Sequence, residues 1–167
     1  IALENNNPAA AMKHLEQALE ANPYAIDTHL SLAQATILQA QALMTQPGAP
    51  SQQEILATLE MTGPPIERIL ELCPTLPQAH EVLGKAASVK ALYLQSIGKT
   101  VPDTLWAQAE NHLHRAIQNG ALNAAELYLL TAQIRLERGR IDQAEDALVL
   151  ATQIDPQNAE AWNNFMA

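Results

Sequence analysis

The sequence predicts an all-α protein of about eight helices, stacked as antiparallel pairs, and three observations carry that expectation. The composition is dominated by Ala, Leu, Gln and Glu, all strong helix formers, while Val and Thr are sparse and only 6 of 167 residues are Gly. Small residues at Ala132, Ala144 and Ala151 are interleaved with large apolar ones at Tyr128, Leu136 and Leu148, on either side of a turn marked by Gly139. The pattern also recurs. After Pro156 it restarts as AEAWNNF, and Trp162 falls 34 residues after Tyr128, a period diagnostic of stacked supersecondary units.

Numbering each unit so that Pro156 is position 32 places Pro23 in the same slot. Ala11, Leu15 and Ala18 then occupy positions 20, 24 and 27, a small–large–small series for a second helix. Asn6 falls in the preceding turn, where tolerance of a left-handed backbone is useful. Ile1 and Ala167 both land inside a first helix, so the array is expected to be cut from a longer chain. A first helix is predicted from Tyr24 to about Met44, with Leu32 and Ala33 at positions 7 and 8.

Thr45 to Gln52 reads as a loop, with two prolines and a glycine. Gln53 to Met61 reads as a short helix, and Thr62 as a cap for a second short piece that ends at Pro74. The next first helix opens at Pro77 and runs to Ile97, with Leu83-Gly84 at positions 7 and 8; SIGKTVPD connects it to LWAQAENHLHRAIQ. There Trp106, Ala109, Leu113 and Ala116 take positions 17, 20, 24 and 27, and Asn119-Gly120 provides a left-handed stop. The unit boundaries are approximately 1–23, 24–74, 77–121 and 124–156, with a partial unit over 157–167. Two units are longer than 34 residues, by 17 and 13, and both excesses are expected between the first and second helices.

This layout resembles the tetratricopeptide repeat family over essentially the whole chain, and most fully in the unit ending at Pro156. That unit departs from the pattern at Thr131 and Arg135, where the family usually has leucine and tyrosine. The resemblance implies a right-handed superhelix that acts as a non-catalytic protein–protein interaction scaffold and holds a peptide or partner helix in a concave groove. Its groove positions 2, 5, 9 and 12 carry over to Asp27, Leu30, Gln34 and Ile37; to Gln78, Glu81, Lys85 and Ser88; and to Glu126, Leu129, Gln133 and Leu136. A clamp for an acidic C-terminal tail needs Lys and Asn at positions 5, 6 and 9, and of these only Lys85 is a cation here. The implied partner is therefore a neutral to basic protein segment with apolar anchors. Long irregular bacterial repeats also resemble regulatory or assembly domains of a kinase, glycan polymerase or glycosyltransferase, which is the alternative role.

Charge and motif content narrow the remaining classes. The net charge is −9, from 18 acidic against 9 basic residues, which repels phosphate backbones and argues against a nucleic-acid partner. No apolar run approaches the roughly 20 residues of a membrane span. A lone Cys73 excludes an internal disulfide and is compatible with either a cytoplasmic or a periplasmic protein. No cofactor is implied. Gly98-Lys99-Thr100 follows a helix, whereas a phosphate loop must open one. His112 and His114, two apart on a helix, point to different faces, one half-buried and one exposed. Arg135, Arg138 and Arg140 read as favourable charge at a helix C-terminus. Trp162 and Phe165 belong to a first helix without its partner, and self-association through that surface is expected.

Overall fold

A computed structural model describes residues 7–46, 48 and 50–157. Asn6, Trp162 and Phe165, and with them the expected self-association surface, lie outside the described residues. Eight α-helices and no strand are present among those described.

Helix α1 (Pro8–Ala21) opens with proline at its first position, where no N–H is required, and the Asn7 side chain accepts the Ala10 N–H at 3.1 Å. It packs on α2 (Ile26–Thr45) through Ala11. Ala18, expected at a close-packed position, is exposed. On α2, Ala33, Ala35 and Ala40 are sealed, so neighbouring backbones approach closely along its whole length.

The second unit departs most from a simple pair. Its returning arm is split into α3 (Gln52–Glu60), capped by the Ser51 hydroxyl, and α4 (Gly63–Leu72). Ile55 and Leu59 of α3 pack with Ala40 and Leu43 in the C-terminal half of α2. Ile66 and Ile69 of α4 pack with Leu30, Ala33 and Ile37 in its N-terminal half. The two short helices therefore divide the place of one long antiparallel helix. Pro64 and Pro65 fall in the first turn of α4, as a proline pair must. Thr62 does not cap: its backbone is helical, and its hydroxyl is buried with no hydrogen-bond partner among the described residues.

Helix α5 (Pro77–Ser96) pairs with α6 (Asp103–Gln118), and α7 (Ala124–Glu137) with α8 (Ile141–Ile154). Trp106, Ala109, Leu113 and Ala116 form the buried face of α6, at the four positions read from the sequence. Gly84 allows the closest approach: a Cβ there would lie 2.8 Å from Leu113 Cδ2 and 3.0 Å from the Leu113 backbone nitrogen. Gly120 has φ +88° and Gly139 φ +70°; each ends a helix in the left-handed conformation that a side chain would strain.

The extra residues of the long units mostly extend helices. α2 and α5 each have 20 residues against 14 in α7. Six more residues add about 9 Å at the helical rise. The extensions of α2 and α5 end against α3, where Ala40, Leu43, Ile55 and Leu59 make a separate core with Val89 and Tyr93 packed on it.

Candidate functional site

Helices α2, α5 and α7 lie side by side and run parallel. Lys85, in the first half of α5, pairs with Glu126 in the first turn of α7, and the Gln95 amide donates to the Glu137 carboxylate near the ends of both helices. Leu30 and Ile37 meet Val82 and Ala86 in one core, while Leu43 meets Val89 and Tyr93 in the next, which sets α2 in the same direction. Together the three helices enclose a concavity of about 720 Å³, with Leu148 of α8 at its edge.

Eight of the twelve residues inferred from the repeat pattern line this space: Gln34, Ile37, Glu81, Lys85, Glu126, Leu129, Gln133 and Leu136. Four do not. Asp27 and Gln78 are exposed but sit at the first turns of α2 and α5, off the concavity. Leu30 is buried in the core beside Ile66 and Ile69. Ser88 is fully buried and its hydroxyl donates to the Gly84 carbonyl at 2.7 Å, so it is a packing residue and leaves the groove set. The physical reason lies in the length of α5. Leu136, at the matching position, is one residue from the end of α7, whereas Ser88 has another eight helical residues beyond it and is covered by the neighbouring helices.

The floor of the concavity carries a closed polar ring. Lys85 Nζ lies 2.9 Å from Glu81 Oε1 and 2.6 Å from Glu126 Oε1. The Asn123 side-chain amide donates to Glu81 Oε1 at 2.9 Å and to Glu126 Oε2 at 3.1 Å, closing the ring. Burial opposes charge on Lys85, but its hydrogen bonds to Glu126 and Glu81 outweigh that and raise its pKa above the ordinary lysine value. Burial likewise works against the Glu126 carboxylate, yet the hydrogen bonds from Lys85 and Asn123 prevail and lower its pKa. One cation between two carboxylates leaves the ring with a net charge of −1. Asn123 lies just before α7 and was not among the residues read from the sequence; its spacing of three from Glu126 was the only local sign.

Farther along the helices the lining turns apolar. Leu38, Val89 and Leu130 join the predicted Ile37, Leu129 and Leu136, with Gln41 beside them, while Val82 lies between Glu81 and Lys85. Leu38 and Leu136 are nearly half exposed, at 47% and 46%, although both belong to otherwise packed helices. The groove is thus polarised: ionic near the N-termini of α5 and α7, apolar towards their C-terminal halves.

Two further clusters lie elsewhere. Glu110 of α6 receives Arg138 Nη1 at 2.7 Å, Arg135 Nε at 3.3 Å and Arg140 Nη1 at 3.3 Å, while Arg138 Nη2 also reaches Asp103 at 3.2 Å. The three arginines, read from the sequence as helix-end charges, share a carboxylate some 25–30 residues away. This accounts for Arg135 in place of the usual tyrosine; at the other departure, the buried Thr131 hydroxyl donates to the Leu127 carbonyl. In the second cluster, His80 Nε2 lies 2.9 Å from the Pro74 carbonyl and His80 Nδ1 lies 3.0 Å from His112 Nδ1. A Pro-x5-His spacing recurs at Pro23 and His29, where the same bond forms at 2.9 Å, and that repeat in the sequence was the available signal. His114 is exposed on another face of α6. Among the described residues no three His, Cys, Asp or Glu side chains converge as a metal site, and no described helix is long and apolar enough to cross a membrane.

Comparison with known proteins agrees with this architecture. The sequence profile of the tetratricopeptide repeat matches residues 125–158. No curated protein matches the chain. Among solved structures, the chain is similar to TTC0263, a thermophilic TPR protein of Thermus thermophilus, with a TM-score of 0.72 at 15% identity, over 99% of this chain and 74% of that one. It is also similar to MamA, with a TM-score of 0.62 at 19% identity, over 98% of this chain and 78% of the other. At such identities the likeness concerns the fold, an all-helical solenoid. The profile thus matches one repeat, at 125–158, and the helix pairs before it share the fold of solved tetratricopeptide repeat structures.

Proposed function

We propose that this protein is a non-catalytic scaffold that holds a segment of a partner protein in the concavity formed by α2, α5 and α7. The observation that carries this reading is the half-exposure of Leu38 and Leu136 on the lining of a 720 Å³ space that also holds the internally paired Glu81, Lys85 and Glu126. Exposed leucines within a concave surface gain more from a partner than from water, at about 25 cal/mol per Å² of apolar area covered. The partner that fits is neutral to basic with apolar anchors, because the groove mixes leucine, isoleucine and valine with amides and two carboxylates against a single lysine. Apolar contacts supply most of the affinity; the carboxylates supply orientation and association rate.

Site-specific photo-crosslinking tests this. A benzophenone side chain at Gln133, which faces the concavity, should capture the partner in cells, and one at Glu145 on exposed α8 should not. Equal capture at both positions would refute the groove as the site.

A further inference from the structure

The polar ring on the groove floor has a feature that packing alone does not require. Two carboxylates from different helices, Glu81 of α5 and Glu126 of α7, converge on one ammonium group that belongs to the same groove. Asn123 bonds one oxygen of each and holds the pair together independently of Lys85. Lys85 is 28% exposed and Glu126 59%, so the ring opens to the concavity and is reachable from it. The long Lys85 stem can swing its charge to solvent without moving the backbone.

We propose that Glu81 and Glu126 form a recognition site for a lysine or arginine of the bound segment, with Lys85 as an internal stand-in that the incoming cation displaces. This rests on the scaffold reading above and adds the chemistry and placement of one partner residue. Charge complementarity favours it: with Lys85 in place the ring is −1, and with Lys85 displaced two carboxylates face one guanidinium, whose planar fork can bond both. The apolar end of the groove then sets the spacing. Glu126 and Leu136 are ten residues apart on one helix, about 15 Å, and Glu81 and Val89 eight residues apart, about 12 Å. An extended chain covers that distance in about four residues at roughly 3.3 Å each. An extended segment fits that spacing, with a basic residue about four positions from a leucine-like anchor that lies between Leu38 and Leu136.

The test uses an immobilised array of ten-residue peptides with a Leu-Leu pair, in which Lys, Arg, Gln or Glu is placed two to six positions away on either side. The best binder is then titrated by fluorescence anisotropy against the full chain. Peptides with Lys or Arg about four positions from the leucines should bind best. Lys85→Gln should tighten them three- to tenfold, and Glu126→Lys should weaken them at least tenfold. Circular dichroism melts establish that both variants fold. Leu136→Asp separates the two ideas. If it abolishes binding while charge placement and Lys85→Gln have no effect, the groove stands and the cation site falls. If no peptide binds, or Leu136→Asp changes nothing, the groove reading itself falls and the cation site with it.

Discussion

His80 and His112 face each other nitrogen to nitrogen across α5 and α6, Nδ1 to Nδ1 at 3.0 Å, with ring centroids 5.3 Å apart. The Pro74 carbonyl can only accept, so His80 Nε2 carries a proton, and in the neutral ring its Nδ1 is a lone pair. His112 must then donate from Nδ1. One proton holds the two rings together, 32 residues apart in the chain.

That arrangement makes stability depend on pH. Burial, the neighbouring His80 and Arg115 lower the His112 pKa from 6.5. A depressed folded value means that the unfolded chain takes up protons first, so stability falls as pH drops through about 6.5 and levels off below the folded value. Chemical denaturation at pH 7.5 and 5.5 should show a lower midpoint at the acid pH. In His112→Asn the amide nitrogen still donates to His80, and that pH step should shrink. An unchanged step in the variant would place the titration elsewhere.

Gly84→Ala is expected to destabilise by about 1–2 kcal/mol. The new methyl meets the Leu113 side chain and its backbone nitrogen, which cannot simply swing away, so the overpacking cost is about 2–3 kcal/mol; the better helix propensity of Ala, worth about 1 kcal/mol, offsets part of it. The melting temperature should fall by roughly 2–8 °C. Gly63→Ala, whose Cβ would meet only Glu67 Oε1 at 3.8 Å, is the matched control and should melt near wild type.

Ala144→Leu should cost about 1–3 kcal/mol, because Ala144 is fully buried in the core it shares with Ala132, Leu148 and Ala151. A thermal melt identical to wild type would overturn the repeat register from which this position was read.

Glu110→Gln removes the charge on which three arginines converge. The Glu110 side chain is 17% exposed and Arg138 14%, so solvent screens the pair only partly, while Arg140 at 39% is better hydrated. A loss of about 1–3 kcal/mol is expected, below the value for a fully buried pair. Urea midpoints of wild type and variant measure it, and a difference under 0.5 kcal/mol (roughly the scatter of surface changes) would mean that the network contributes little.

What the sequence determined by itself was most of what residues a few positions apart govern, Thr62 as a cap and Ala18 as a packed residue excepted. The helix start at Pro77, left-handed stops at Gly120 and Gly139, and the buried series Trp106, Ala109, Leu113 and Ala116 all follow from local propensity and a 3.6-residue period. The repeat register likewise reached eight of the residues that line the concavity, since a regular stack turns equivalent positions the same way. Only the tertiary structure decided what distant segments do to one another. It split the arm opposite α2 into two helices and buried Ser88 within an α5 longer than the repeat norm. It also joined Glu110 to Arg135, Arg138 and Arg140, His80 to His112, and Lys85 to Glu126. Those pairings are 25 to 41 residues apart, and no local rule relates them. They form because stacked helices bring the side chains together where water is partly excluded, and a charge or ring nitrogen placed there must find a partner.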